Sequence, residues 1–353
     1  MLLFPVSPKD FQSYTPDIDF KRVHIMSDVK NLLRFAEEPM LHISEIDCHG
    51  ILMDHCAEFM ENLSGFYKKW ASDRAAVNLP VKQVFVSEDV AGDFRIMPCI
   101  IPSNQVKFVK IIGTNEEERV IKDKICVGKA MLIDHHDNYV YAIFDVCSLS
   151  SFRTAAISCL ALKSSHVDPI SVGVIGAGRI GFYTAFILYT WMGLRKFYVA
   201  DKSDENLSRF NKLREIYIPE AIVEQTSVDN LCAHSSAVFL TTTSDLPLCN
   251  AKNCANVPFV SSVGADADNL SEIDESMLAS HSIITDSLQS MYLGDMKKWQ
   301  AAGLIRQSDV VELTDMIAGS ATVKNNMLFI STGVAVQDAI VSKFIYDKFT
   351  VLA

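Results

Sequence analysis

Apolar residues recur at helical spacing from His49 to Trp70: Ile51, Leu52, Cys56, Phe59, Met60, Leu63 and Phe66 share a face, and Lys68 and Lys69 sit near the end that favours positive charge. The pattern predicts one long amphipathic helix. From Val81 to Asp145 the signal changes to short β-branched and aromatic runs, Val84-Phe85-Val86, Val106-Lys107-Phe108-Val109 and Tyr139-Val140-Tyr141-Ala142-Ile143-Phe144, parted by polar turns. This predicts an antiparallel sheet whose last hairpin turns at Asp134-His135-His136-Asp137-Asn138. Ser150 or Ser151 then reads as the cap of a helix with Arg153 in its first turn. From Ser171 the order becomes strand, glycine turn, helix, strand, and further apolar strands follow at 237–240, 259–263 and 282–284. Helical segments between some of them predict a Rossmann-type, doubly wound parallel sheet over 166–324, giving an α/β fold. A last helix, Gln337 to Lys348, lies beyond that sheet and is expected to return to the first domain. Residues 1–40 carry no motif and read as an N-terminal extension.

At 353 residues the chain has room for two cores. Its net charge is −11 and its lysines and arginines are scattered, which argues against a nucleic-acid partner. No segment is apolar for the ~18 residues a membrane span needs, and the start lacks the basic and apolar regions of a secretory signal. A soluble, cytoplasmic protein is expected. The nine cysteines lack framework spacing and suit reduced core thiols without disulfides.

The strongest chemical signal is Gly176-Ala177-Gly178-Arg179-Ile180-Gly181, which follows an apolar strand and opens a helix. Gly176 would permit the tight turn, Gly178 would let the backbone approach a pyrophosphate, and Gly181 would let helix and strand pack closely. Asp201 ends the next strand, twenty residues after Gly181, where a carboxylate binds the adenosine ribose hydroxyls and repels a 2′-phosphate. NAD is therefore the expected cofactor, although the Arg179 guanidinium could also contact a phosphate. Thr241 and Thr242, after a later strand, are candidates for the cofactor's surroundings or for a self-satisfied polar turn.

Several further segments, in order, resemble the ornithine cyclodeaminase/mu-crystallin family. Leu149-Ser150-Ser151-Phe152-Arg153-Thr154-Ala155-Ala156 is similar to the family's "LT…RTAA" helix start, and Val106-Lys107-Phe108-Val109 with Asn115 to its "K-x-V…N" strand. Ser262-Val263-Gly264-Ala265-Asp266 resembles the "AVGAD" turn, which adds Val263 to the cofactor candidates, and Gly333-Val334-Ala335-Val336-Gln337-Asp338 the C-terminal "G-x-A-x-x-D". The resemblance implies a substrate and dimerisation domain of α+β type built from both chain ends, 41–165 with 325–353, a central NAD-binding domain, and a homodimer acting at the Cα–N bond of an amino or imino acid. By resemblance, Lys107 and Arg153 bind the substrate α-carboxylate, Lys107 counting as catalytic as well, and Asp266 handles the amine or its proton.

Two departures shape the substrate expected. Pro80-Val81-Lys82 replaces the family's "P-x-R", so Lys82 keeps the charge and loses the bidentate fork. Ornithine cyclodeaminases carry a glutamate near the position of Arg95, and an arginine there would repel an ammonium and suit an additional carboxylate. The pattern resembles the branch of the family working in 2,3-diaminopropionate synthesis for siderophores, which oxidises N-(2-amino-2-carboxyethyl)-L-glutamate to 2,3-diaminopropionate and 2-oxoglutarate. Ornithine cyclisation to proline, ketimine or imino-acid reduction, and non-catalytic NAD(P)H binding are the alternatives. Asp266 favours chemistry over the last of these.

No metal site is expected. Cys48-His49 and His55-Cys56 have the wrong spacing and read as core cysteines and surface histidines, and His135 and His136 as a solvated turn. Asp268 and Glu272 read as loop and helix-cap carboxylates, and Glu116-Glu117-Glu118 as a solvated loop.

Overall fold

The computed structural model describes residues 29–87, 89–114 and 126–352, so Asn115, the Glu116-Glu117-Glu118 loop and most of the N-terminal extension lie outside the described residues. By its contacts the chain divides into Met1–Pro39 and Met40–Ala353, the second unit holding two sheets.

The first sheet has six strands in the order β1 (Leu41–Ile43), β6 (Val140–Asp145), β5 (Cys126–Ile133), β4 (Val106–Thr114), β3 (Val90–Ile101) and β2 (Gln83–Ser87). Its pairings are antiparallel except β1 with β6. Helices α1 (Glu45–Asp54), α3 (Val146–Ser164) and α9 (Ala335–Leu352) pack on one face, and α2 (Cys56–Ser72) packs on those helices. The single helix expected over 49–70 is two. Ser44 opens α1 with a capping box to Asp47, and His55, at φ −115° and ψ 23°, interrupts the helical angles before α2. Hydrophobic spacing does not register one residue leaving the helix. His49 is not a surface histidine either: Nδ1 meets the Tyr183 hydroxyl at 2.8 Å and Nε2 the Tyr217 hydroxyl at 2.9 Å, and burial lowers its pKa.

The second sheet is wholly parallel, in the order β13 (Val310–Glu312), β12 (Ser282–Thr285), β14 (Met327–Ile330), β11 (Phe259–Ser262), β10 (Ala237–Leu240), β7 (Val172–Ile175), β8 (Lys196–Ala200) and β9 (Ile222–Gln225). Buried on both faces, its inner strands read as continuous apolar runs. Helices α4 (Arg179–Met192), α5 (Asp204–Tyr217) and α6 (Val228–His234) follow β7, β8 and β9, and α7 (Gly294–Ala301) and α8 (Leu313–Ala318) lie further along. The strand order reverses between β7 and β10, the switch point at which a crevice opens beyond the strand ends.

Two boundaries differ from expectation. The helix with Arg153 starts at Val146 after N-cap Asp145, so Ser150 and Ser151 lie inside it and Arg153 in its second turn. Residues from 325 do not all return to the first sheet: β14 is inserted between β11 and β12, and only α9 packs on the antiparallel sheet. A four-residue apolar run has no period that assigns it to one sheet or the other. Eight of the nine cysteines are buried, all of them as free thiols. No helix among the described residues is long and apolar enough to cross a membrane.

Candidate active site

The glycine loop joins β7 to α4. Gly176 has φ +102°, and a Cβ there would stand 2.8 Å from the Thr241 carbonyl oxygen; one on Gly181 would stand 2.0 Å from the Gly176 oxygen. Glycine is required at both for close packing. At Gly178, the N-cap of α4, nothing lies within 4 Å of where a Cβ would be. That open space lies at a helix N-terminus whose first amides have no intrahelical acceptor, the setting a diphosphate occupies. Asp201 is held against the same loop, accepting from the Ala177 amide at 2.7 Å and the Ser203 amide at 2.8 Å. The residues present therefore fit a dinucleotide. Ile180 lies in the first turn of α4, and Arg179 is turned away to Glu45 on α1, at 3.3 Å, and to the Cys147 sulfur.

Thr241 and Thr242 are engaged by protein. The Thr241 hydroxyl donates to the Gly176 carbonyl at 3.0 Å, and Thr242 gives its amide and hydroxyl to Glu272 at 2.7 and 2.8 Å. Glu272 is not a helix cap. Fully buried, it also accepts from Ser262 Oγ and the Gly264 amide, fixing the turn from Val263 to Asp266; burial raises its pKa against those four hydrogen bonds. Gly264 is needed there, since a Cβ would lie 1.9 Å from the Thr242 oxygen.

Asp266, 36% exposed, projects from this turn and accepts from Arg95 Nη1 at 2.8 Å, while Arg95 Nε donates to Asp93 at 2.9 Å. Arg95 is thus flanked by two carboxylates. Lys82 donates to the Thr332 carbonyl at 2.8 Å and its hydroxyl at 3.2 Å; burial pushes its pKa down to about 8, with Asp266 opposing and Arg95 assisting. Arg153 Nε meets Asp338 at 3.0 Å and Nη1 meets Gln337 at 3.0 Å. Gly333, at φ +75°, leaves room for this guanidinium: a Cβ would stand 2.4 Å from Nη1. Lys82, Arg95, Arg153 and Asp266 are therefore linked through the ends of β11 and β14.

Lys107 stands apart from them. It pairs with Ile100 across the sheet, on the opposite face from Arg95, and its ammonium bonds the His135 carbonyl at 3.0 Å and the Asn138 side chain in the β5–β6 turn. The lysine on the inner face is Lys110, which meets Asp338 at 2.7 Å and is pushed down to about 8 by burial. Sequence reading missed it, although Val106, Phe108, Lys110 and Ile112 alternate in one phase and a lysine in an apolar phase is a signal. It also missed Asp93 and the buried Asp286, which accepts from Ser331 at 2.5 Å, Gln337 at 2.8 Å and Ser290 at 3.0 Å.

The ornithine cyclodeaminase/mu-crystallin family profile matches residues 37–351. The chain is similar to the iminosuccinate reductase of Paracoccus denitrificans, 26% identical over 320 residues that cover 87% of this chain and 96% of that protein. Among solved structures, the Δ1-pyrroline-2-carboxylate reductase of Thermococcus litoralis in complex with NADH and L-proline superposes with a TM-score of 0.78 at 20% identity, covering 88% of this chain and 97% of that one. An archaeal alanine dehydrogenase dimer with bound NAD gives a TM-score of 0.76 at 20% identity, covering 87% and 95%.

Proposed function

Because the chain belongs to the ornithine cyclodeaminase/mu-crystallin family, we propose that it is an NAD-dependent oxidoreductase acting at the Cα–N bond of an amino or imino acid that bears a carboxylate beyond the α one. The observation that carries this reading is Arg95, whose guanidinium lies on Asp266 at 2.8 Å. A second carboxylate would meet a donor whose remaining terminal nitrogen makes no hydrogen bond among the described residues. The relative named for iminosuccinate, a dicarboxylic imino acid, is in keeping with this class.

The loop from Gly176 to Gly181, with Asp201, would hold NAD, which when bound exchanges a hydride with the substrate Cα. Val263, Thr241 and Thr242 shape the neighbouring strand ends. Arg153 and Lys82 would bind the α-carboxylate in a fixed pose, so that the substrate Cα is held in one orientation for hydride exchange. Asp266 would take or give the proton at the substrate nitrogen, and after oxidation would assist the water that splits the imine into an oxo acid and an amine. We place N-(2-amino-2-carboxyethyl)-L-glutamate first among substrates, giving 2,3-diaminopropionate and 2-oxoglutarate, and the aspartate–iminosuccinate pair second. Lys107 is assigned no part in binding.

The test follows NADH absorbance with N-(2-amino-2-carboxyethyl)-L-glutamate, aspartate, alanine, proline and ornithine. NADH formation with an acidic substrate is expected, and turnover of ornithine alone to proline without net NADH would overturn the assignment. Asp266→Asn should lower kcat by about 10²- to 10⁴-fold with NADH affinity unchanged.

The same reading includes a homodimer. On the sheet face away from the helices, Phe85, Phe94, Ile111 and Val127 are 36–47% exposed, and the Phe85 and Phe94 rings stack at 4.7 Å. A contiguous apolar sheet face of this kind is one that a second copy would cover.

A further inference from the structure

Away from this site, three cysteines of the parallel half meet. Cys232 lies in α6, Cys249 bridges Ile273, and Cys254 closes a turn between β10 and β11. Their sulfurs all lie within 4.8 Å of one another, with Cys232 and Cys254 at 3.8 Å, and none is more than 1% exposed. The turn is rigidly built: Asn250 Oδ1 accepts from the amides of Lys252 and Asn253 at 2.9 and 3.0 Å, and Asn253 Oδ1 accepts from the Asn250 amide at 2.9 Å. A cavity of about 460 Å³, lined by Asp229, Cys232, Asn250, Lys252 and Asn253 among others, adjoins the cluster.

We propose that Cys232, Cys249 and Cys254 form a three-coordinate thiolate site for a soft monovalent cation, with copper(I) as the type. Thiolate sulfur selects such ions over harder ones. A metal–sulfur bond of about 2.3 Å sets the sulfurs of a planar triangle about 4.0 Å apart, which the observed spacing accommodates. A closed tetrahedral zinc site needs a fourth protein donor, and among the described residues no histidine, carboxylate or further cysteine joins the three sulfurs. Binding would form three metal–sulfur bonds and release the thiol protons through the cavity, with no change of oxidation state. Lys252 on the cavity wall would offset part of the remaining negative charge. Cys249 and Cys254 stand at a C-x₄-C spacing, but Cys232 lies 17 residues before Cys249, so only the fold completes the set.

The experiment titrates the reduced full chain with copper(I) against a chromophoric chelator and records X-ray absorption at one equivalent. One ion per chain, bound by three sulfurs at about 2.3 Å, is expected. Cys249→Ser should weaken uptake at least ~10-fold, and Cys126→Ser, remote from the cluster, should leave it unchanged. No uptake, linear two-sulfur coordination, or unaltered uptake by a folded Cys249→Ser chain would overturn the proposal. If that variant fails to fold, the absorption spectrum of the unaltered chain decides alone.

Discussion

Asp338 holds two cations, the Lys110 ammonium at 2.7 Å and Arg153 Nε at 3.0 Å, and the three residues are 0%, 1% and 8% exposed. Removing the shared carboxylate would leave two buried charges uncompensated. Asp338→Asn should therefore lower the unfolding free energy by about 3–5 kcal/mol, read from urea melts. A loss below about 1 kcal/mol would mean that the buried cations do not depend on Asp338 for compensation. Lys82 titrates with consequences for binding. Its pKa is pushed down by burial from 10.5 to about 8, so below pH 8 the ammonium is present for a substrate carboxylate and above it is lost. KM should rise above pH 8 with kcat little changed, and Lys82→Arg should abolish that alkaline limb because a guanidinium stays charged. The linked effect on stability has the opposite sense. Between about 8 and 10.5 the unfolded chain binds more protons at this group, so its contribution to stability increases with pH across that window.

At the scale of elements, one glycine governs the seat of the cofactor. Gly181→Ala sets a Cβ 2.0 Å from the Gly176 oxygen, which forces α4 away from β7. A displacement of the order of 1 Å should weaken NADH binding or turnover by about 10²-fold, measurable by fluorescence titration and initial rates. This loop was legible in the sequence because tight turn, helix start and terminal carboxylate are local features with fixed spacing. The antiparallel sheet and its Asp134–Asn138 turn were legible for the same reason. What could not be read is parity and pairing. Lys107 and Lys110 share a strand three residues apart, so one faces each side, and motif resemblance alone does not report which of them shares a face with Arg95. Strand alternation places Asp93 and Arg95 on one face, but no local signal reports that Arg95 also meets Asp266 from the turn after β11. β14 was misplaced because a short apolar run fits any buried position.

For the whole molecule, the apolar outer face of the antiparallel sheet makes assembly testable. Ile111 is 42% exposed at its middle, and Ile111→Lys should turn a light-scattering mass of two chains into one while leaving the far-ultraviolet dichroism unchanged. A wild-type chain that is already monomeric would remove the dimer. A different consequence follows from the placement of β14 and α9. β14 fills a gap between β11 and β12, which pair with it and not with each other, and α9 packs on α1, α3 and strands β3 and β4 from the other end of the sequence. During synthesis the parallel sheet cannot close until residues 327–330 emerge, and the antiparallel sheet, whose strands end at Asp145, lacks part of its helical cover until α9 does. Until then both halves wait as partial structures with apolar surface open to water, the state in which a chain is most prone to associate wrongly.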